Sequence, residues 1–157
     1  MTIRPFERKD LKQCCDMSKR QHRESLWSHL PYDVERVKNY YLNTIGHPQF
    51  CFLVAEQDEV IIGGTACGLN QYDFSYNTYV QDLFFYVMPE YRTGSLGIKL
   101  YKAIYQWAKE KGALEVYVGY GFGKENKKME KFYNRLGYEH HLDYYRKPVI
   151  VWRFIKK

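Results

Sequence analysis

The spacing of apolar residues predicts that helices and strands alternate along the chain. In four segments the apolar residues stand three or four positions apart, which is the spacing of an amphipathic helix. These helices are predicted to begin after Asp10, after Asp33, at Ser95 and at Lys124. The side chains of Asp10 and Asp33 are expected to cap the first two, and Gly137 is expected to end the fourth.

Runs of β-branched and aromatic residues predict about seven strands. They cover residues 2–6, 50–55, 60–69, 79–87, 114–119, 138–146 and 149–154. Residues 56–59 are predicted to form a hairpin turn, and Pro89 prevents the fourth strand from continuing. This element order predicts an α/β (α+β) fold, a mixed sheet with about four helices on its two faces. Since no repeat or linker interrupts the chain, a single domain over residues 1–157 is expected.

Net charge, hydrophobic runs and cysteine spacing limit the kinds of ligand, location and metal site that this sequence suits. The formal net charge of +6 suits a polyanionic ligand, which could be nucleic acid, a membrane surface or a phosphate-rich cofactor. No run approaches the roughly 20 apolar residues that cross a bilayer, and no signal-peptide core follows the first residues. The four cysteines and five histidines lack metal-ligand spacing, so no metal site is predicted. We expect free thiols and a cytoplasmic location.

Candidate chemistry begins where the fourth strand leads through a loop, residues 89–95, into the third helix. The free N–H groups of a helix N-terminus, aligned with the helix dipole, bind phosphate groups. Gly94 and Gly97 permit a close approach to the backbone, and Arg92 can add a charged hydrogen bond. A plain strand-to-helix turn would show the same residues, so this loop alone leaves both interpretations open.

The run from Tyr86 to Leu100 resembles the coenzyme A pyrophosphate loop of the GNAT superfamily of acyltransferases, Arg/Gln-x-x-Gly-x-Gly/Ala after a Val-x-Pro turn. A second segment is similar to the family's Asn-x-x-small-x-x-Phe-Tyr signature with its Leu-Gly-Phe/Tyr end. It comprises Asn126, Met129, Phe132, Tyr133, Leu136, Gly137 and Tyr138. Ser95 stands where the family usually has its first glycine, and we expect its hydroxyl to bond to the pyrophosphate. Met129 replaces the more usual alanine.

The resemblance implies a mostly antiparallel, GNAT-like sheet and acetyl-CoA (coenzyme A) as the cosubstrate of acetyl transfer to an amine. It implies that strands 79–87 and 114–119 separate to admit the pantetheine arm, with backbone N–H groups of residues 85–87 on the thioester carbonyl. Tyr133 matches the family's general acid, which protonates the departing thiolate. The implied cofactor-binding residues are Phe85, Tyr86, Val87, Arg92, Thr93, Gly94, Ser95, Leu96, Gly97, Ile98, Asn126 and Tyr133.

The sequence indicates the general base less clearly. A lysine-type amine with a pKa of ~10.4 is almost wholly protonated at pH 7, so acyl transfer to it needs a base or a water chain. Asp82 is the predicted catalytic base, because it is the nearest acid on the strand that leads to the site. The alternatives are ordered water and the side chains of Gln81, His22, His29 and His47.

The acceptor amine, of a small molecule or of a protein, is expected to contact two aromatic loops, residues 27–32 and 71–77. Lysines near two helix starts could meet the ribose phosphate of CoA: Lys99, Lys102, Lys124, Lys127 and Lys128. One alternative function is a CoA-binding module without turnover. Another is nucleic-acid binding, which the scattered basic residues do not favour. No membrane partner is expected, and a homodimer is left open.

Overall fold

A computed structural model of the protein describes residues 1–119 and 127–141. The chain divides into two compact units, Met1–Asn126 and Lys127–Lys157, and the predicted single domain stays a prediction. In the first unit the strands are β1 (Thr2–Pro5), β2 (Phe50–Gln57), β3 (Val60–Gln71), β4 (Thr78–Val87) and β5 (Glu115–Tyr117). Its helices are α1 (Leu11–Glu24), α2 (Val34–Thr44) and α3 (Leu96–Glu110). The second unit contains α4 (Lys127–Arg135).

The five strands form one sheet in the order β1-β2-β3-β4-β5. Neighbouring strands are antiparallel except β4 and β5, which are parallel. The predicted mixed, mostly antiparallel class is therefore confirmed, with five strands within the described residues instead of about seven. Residues 138–141, where a closing strand was predicted to begin, are not in a strand. Residues 142–157, which hold the rest of the two predicted closing strands, lie outside the described residues.

Of the two predicted N-terminal caps, Asp33 is confirmed and Asp10 is wrong. Asp33 accepts a hydrogen bond from the Arg36 N–H at 3.0 Å. Asp10 makes no capping bond to α1, because a 3₁₀ turn over Arg8–Asp10 precedes the helix and gives Asp10 a helical backbone already. Its carboxylate instead accepts two bonds from Arg4, at 2.7 and 2.8 Å. Burial alone would raise the pKa of Asp10, but these bonds outweigh burial and hold the pKa below its usual range.

The sheet is packed on both faces, and β4 contributes to both cores because successive side chains of a strand point to opposite faces. One core contains Phe84 and Tyr86 together with residues of α1 and α2 such as Met17 and Tyr41. The other contains Val87, with Phe85 packed against it, and Leu96 and Leu100 of α3. Phe85 also stacks on Tyr101, with ring centroids 4.2 Å apart. The end of β4 and the first turn of α3 are thus fixed by buried side chains.

Gly63 on β3 permits this packing of α3. A Cβ at Gly63 would lie 3.1 Å from the backbone oxygen of Tyr86 and 3.3 Å from Cδ2 of Leu96. Both contacts are tighter than ordinary van der Waals distances, and a backbone oxygen inside a sheet has little freedom to move. The absence of a side chain at position 63 therefore lets the first turn of α3 lie directly on the sheet.

Replacing Gly63 with alanine should lower the free energy of unfolding by about 1 to 3 kcal/mol, the usual cost of overpacking a core. Gly94→Ala is the matched control, because a Cβ there meets only the Tyr91 backbone oxygen at 3.9 Å. Both changes restrict the unfolded chain equally. Denaturant unfolding of the two variants measures the difference, and equal stability would contradict the close packing of α3 on β3.

Candidate functional site

The pairing of β4 with β5 ends partway along β4 and leaves a gap between the two strands. The paired residues are Tyr79 with Glu115, Val80 with Val116 and Gln81 with Tyr117. Beyond Gln81, β4 continues to Val87 whereas β5 has ended. The two strands therefore separate after Gln81, as predicted, and within residues 1–119 and 127–141 no strand pairs with this edge of β4 from Asp82 onward.

A β-bulge in β4 determines which backbone groups face the gap. Ala66 pairs with Phe84 and Cys67 pairs with Asp82, so Leu83 is an additional residue with no partner on β3. Beyond the bulge, the Met88 N–H bonds to the Ile62 oxygen of β3 at 3.0 Å. Because backbone groups alternate in direction along a strand, those of Phe85 and Val87 point away from β3 and into the gap.

Two side chains cover the carbonyl oxygens on this open edge. Gln21 of α1 donates from Nε2 to the Phe85 oxygen at 2.9 Å. Arg92 donates from Nε to the Val87 oxygen, also at 2.9 Å. The N–H groups of Phe85 and Val87 also point away from β3, and no strand within the described residues pairs with β4 at these positions. The edge therefore presents donors to the gap while its acceptors are occupied, which favours a ligand carbonyl on which negative charge develops.

The open edge leads directly to the N-terminus of α3. A 3₁₀ turn, Pro89–Tyr91, follows β4, and the first bond of the helix runs from the Lys99 N–H to the Ser95 oxygen at 3.0 Å. The four N–H groups before it, of residues 95–98, precede the helical hydrogen-bond ladder. Residues 92–95 are exposed, whereas Leu96 is buried and anchors the first turn. Ser95 begins the helix as predicted, and its hydroxyl makes no capping bond.

Arg92, predicted to contact phosphate, is held by the protein. Besides Val87, its guanidinium contacts Glu24 at 2.7 Å and lies 5.0 Å from the centre of the Tyr86 ring. Tyr86, another predicted cofactor residue, is buried and donates its hydroxyl to Glu24 at 2.5 Å. Burial alone would raise the pKa of Glu24, but the bonds from Tyr86 and Arg92 outweigh burial and keep the pKa below its usual value. Burial and the bond to Glu24 raise the pKa of Tyr86 to about 12.

Sequence reasoning missed both Gln21 and Glu24. They lie on α1, 64 and 68 positions along the chain from their partners Phe85 and Arg92. No motif connects the C-terminal half of α1 with the end of β4. The only local signal is two polar residues near the end of an amphipathic helix, which is the ordinary composition of an exposed face.

Asp82 lies where β4 and β5 separate. Both of its carboxylate oxygens accept from the Gly119 N–H, at 3.1 and 3.3 Å, so the carboxylate bridges the two chain segments at the beginning of the gap. Burial raises the pKa of Asp82 to about 7, although the Gly119 bond acts in the opposite direction. A carboxyl with this pKa both takes up and releases protons near neutral pH, as a general base must.

Each of the three histidines named as an alternative base contacts a residue no more than ten positions away in the sequence. His22 packs on Tyr32 with ring centroids 5.4 Å apart. His29 contacts the Leu26 oxygen through Nδ1 at 3.0 Å, and His47 accepts from a backbone N–H through Nδ1 at 3.2 Å. Gln81 is exposed, and strand alternation places its side chain on the opposite face from that of Asp82.

Tyr133 belongs to the second unit. It is buried on α4 and packs against the rings of Phe132 and Tyr138, with centroids 5.8 and 5.9 Å away. Gly137 ends this helical segment with a φ of 81°, as predicted. Asn126, predicted to bind the cofactor, lies outside the described residues, as does Lys124. The other lysines of the predicted group, Lys99, Lys102, Lys127 and Lys128, are exposed.

Residues 1–119 and 127–141 contain no cluster of three or more histidine, cysteine, aspartate or glutamate side chains that could hold a metal ion. Over the same residues, no helix has the length and apolar content that a membrane span needs. All four cysteines are buried thiols.

The split sheet, the donor-lined edge of β4 and the exposed helix N-terminus define a domain built to bind an extended, phosphate-bearing cofactor. The chain belongs to the Acetyltransferase (GNAT) family, whose sequence model matches residues 11–138. The resemblance stated from the motifs is thereby confirmed, and acetyl-CoA is the cosubstrate of this family.

Solved structures show the same fold. The aminoglycoside N-acetyltransferase AAC(6')-Iy, in complex with a CoA-containing bisubstrate analogue, is 21% identical with a TM-score of 0.72, and the match covers 94% of this chain and 97% of that one. An acetyltransferase of Trypanosoma brucei is 17% identical with a TM-score of 0.71, over 94% and 99% of the chains. A transcriptional regulator from Bacillus halodurans C-125 is 19% identical with a TM-score of 0.77, over 94% and 98%. Among curated proteins, no sequence matches.

Proposed function

We propose that this protein is an N-acetyltransferase that moves an acetyl group from acetyl-CoA to an amine of a small molecule or a protein. The observation that supports this most strongly is the open edge of β4, where the N–H groups of Phe85 and Val87 face the gap and lead to the N-terminus of α3. A domain that bound only a nucleotide would need the helix terminus but not the split sheet.

The residues present fit this cosubstrate. The backbone N–H groups of residues 93–98 would hold the diphosphate, and those of Phe85 and Val87 would hold the pantetheine amide and the carbonyl. When bound, acetyl-CoA supplies an activated thioester carbonyl. Gln21 and Arg92 keep the neighbouring carbonyl oxygens of β4 occupied, so they do not repel negative charge that develops in the gap.

Proton transfer is assigned to two residues. Asp82, at the beginning of the gap, accepts the proton that the ammonium form of the acceptor must lose before the amine can attack. Tyr133 holds the proton that the departing thiolate requires, a role that rests on its match to the family's signature. The buried thiols fit a reducing compartment, and we place the protein in the cytoplasm.

The experiment that tests this function follows the release of free CoA thiol from acetyl-CoA across a panel of amines. Wild-type protein should release thiol, and Tyr133→Phe should lower turnover by about 100-fold while the KM for acetyl-CoA changes by less than about threefold. Tyr105→Phe is the control, because Tyr105 is an exposed tyrosine of α3.

Other outcomes would contradict the proposal. A CoA-dependent thermal shift without thiol release for any amine would show a CoA-binding module that lacks turnover. Binding to DNA or RNA that falls steeply with salt, without a thermal shift from CoA, would show a nucleic-acid-binding domain. An unchanged turnover in Tyr133→Phe would remove Tyr133 from the mechanism and leave the reaction intact.

A further inference from the structure

Glu24, the last residue of α1, lies against the loop that precedes α3. Its carboxylate accepts a bond from the Tyr86 hydroxyl of β4 at 2.5 Å and a second bond from Nη2 of Arg92 at 2.7 Å. The pKa of Glu24 is below its usual value, so the carboxylate is charged at neutral pH. One charged side chain therefore connects α1, β4 and the loop.

The guanidinium of Arg92 is held on three sides. Its Nε donates to the Val87 oxygen at 2.9 Å, and its Nη2 donates to Glu24. The central carbon of the guanidinium lies 5.0 Å from the centre of the Tyr86 ring. A long arginine side chain samples many rotamers when it is free, and these contacts restrict it to one position.

The restrained guanidinium keeps donors for a ligand. A guanidinium has five N–H groups, and the two bonds that the described residues give Arg92 use one on Nε and one on Nη2. Nη1 therefore remains for a ligand, and 44% of the Arg92 side chain is exposed. The same exposed loop reaches Ser95, where the free N–H groups of α3 begin. A phosphate oxygen at this place would accept a charge-assisted bond from Arg92.

The charge of Glu24 alone predicts the opposite effect on a phosphate ligand. A carboxylate repels a diphosphate, so its removal should strengthen binding if Glu24 acts only through its charge. If Glu24 acts by holding Arg92, its removal should weaken binding, because the arginine loses its fixed orientation. The sign of the change in affinity therefore distinguishes the two roles.

We propose that Glu24 is a positioning residue for the cofactor, which fixes Arg92 so that Nη1 contacts the diphosphate of acetyl-CoA. This inference rests on the proposed function, since it assumes that the diphosphate lies at the N-terminus of α3. Glu24 itself does not touch the cofactor and takes no part in acyl transfer. Its loss should therefore change the KM for acetyl-CoA and leave kcat nearly unchanged.

The test is calorimetric titration of CoA into wild-type protein, Glu24→Gln, Arg92→Gln and the double variant. Glutamine keeps an oxygen for the Tyr86 hydroxyl but loses the charged bond to Arg92. Glu24→Gln should weaken CoA binding by about tenfold, and it should have no further effect when Arg92→Gln is already present. Asp16→Asn is the matched control, because it removes another carboxylate of α1, whose partner is Lys12 at 3.1 Å, and should bind CoA as wild-type does.

A thioester without a diphosphate gives a second readout. With acetyl-CoA as the substrate, Glu24→Gln should raise the KM by about tenfold and leave kcat within about twofold. With S-acetyl-pantetheine, which has no phosphate group, the KM of the same variant should equal that of wild-type. This comparison separates a lost phosphate contact from general damage to the fold, which would affect both substrates.

The outcomes separate this role from the proposed function. Unchanged or tighter CoA binding in Glu24→Gln, or an equal loss of affinity in the Arg92→Gln background, would overturn the positioning role and leave the proposed function standing. Weaker CoA binding in Glu24→Gln that disappears in the Arg92→Gln background, without thiol release from acetyl-CoA for any amine, would support the positioning role and overturn the proposed function. Wild-type protein that does not bind CoA would overturn both.

Discussion

Replacing Ser95 with aspartate is expected to reduce the affinity for acetyl-CoA by about 100-fold while the protein stays folded. Ser95 begins α3, and its N–H group is one of the donors assigned to the diphosphate. A carboxylate at a helix N-terminus is favourable for the helix itself, by about 0.5 kcal/mol. Toward a diphosphate it is repulsive, since two like charges about 5 Å apart interact by about 3 kcal/mol at an effective dielectric constant of 20.

Stability and affinity should therefore change in opposite directions in Ser95→Asp. Thermal unfolding without ligand should show an equal or slightly higher Tm, and calorimetry should show the loss of cofactor affinity. Ser95→Asn, which is neutral and of the same size, is the matched control and should bind acetyl-CoA within a few fold of wild-type. Equal affinities of the Asp and Asn variants would place the diphosphate elsewhere.

Asp82→Asn is expected to change the pH dependence of the reaction. Asparagine keeps an oxygen that can accept from the Gly119 N–H but cannot take up a proton. In wild-type protein the reactive pair is the Asp82 carboxylate, with a pKa of about 7, and the ammonium form of the acceptor, with its pKa of ~10.4, so only Asp82 must lose a proton to solvent. The logarithm of kcat/KM should rise with a slope near one below pH 7 and be nearly constant from pH 7 to about pH 10.

The variant should be slower by at least about 100-fold at pH 8, with a slope near one throughout. A profile that keeps its bend near pH 7 in the variant would show that another group is the base. Asp33→Asn, at the N-terminus of α2, serves as a control for a change of charge that leaves the gap untouched.

The pH dependence of stability in Asp82→Asn is a second test of the raised pKa of Asp82. The folded protein holds the Asp82 proton more tightly than the unfolded chain does, where the pKa has its ordinary value of 3.8. The stabilising contribution of this group is therefore fully present below about pH 4 and is lost as the pH rises through 7. The free energy of unfolding of Asp82→Asn, relative to that of wild-type, should therefore rise by roughly 2 to 4 kcal/mol between pH 4 and pH 8. Denaturant unfolding at the two pH values measures this gain.

The elements that carry their own local signals were predictable from the sequence. The helix expected from Ser95 is α3, Leu96–Glu110, because its apolar stripe, its charged outer face and the preceding Pro89 all lie within a short stretch. The strand expected over residues 79–87 is β4, Thr78–Val87. Since the loop proposed to bind the cofactor lies between these two elements, its position followed from them.

Features that arise from tertiary packing were not predictable. The bulge at Leu83 is produced by the register of β3 against β4, and the residue types around Leu83 do not indicate a bulge. The contacts of Gln21 and Glu24 with the end of β4 require α1 to lie across a strand more than sixty positions away. The prediction for Asp10 was wrong because a 3₁₀ turn precedes α1, and its carboxylate bonds instead to Arg4, whose guanidinium also bonds to Glu56 on β2.

The central claim is that acetyl-CoA lies along the open edge of β4 with its diphosphate at the N-terminus of α3. A crystal structure of the protein grown with acetyl-CoA tests this claim most directly. We predict diphosphate density within hydrogen-bond distance of the N–H groups of residues 93–98 and the pantetheine arm beside Phe85 and Val87. Density for the cofactor at any other surface, with this edge occupied by protein side chains, would contradict the account.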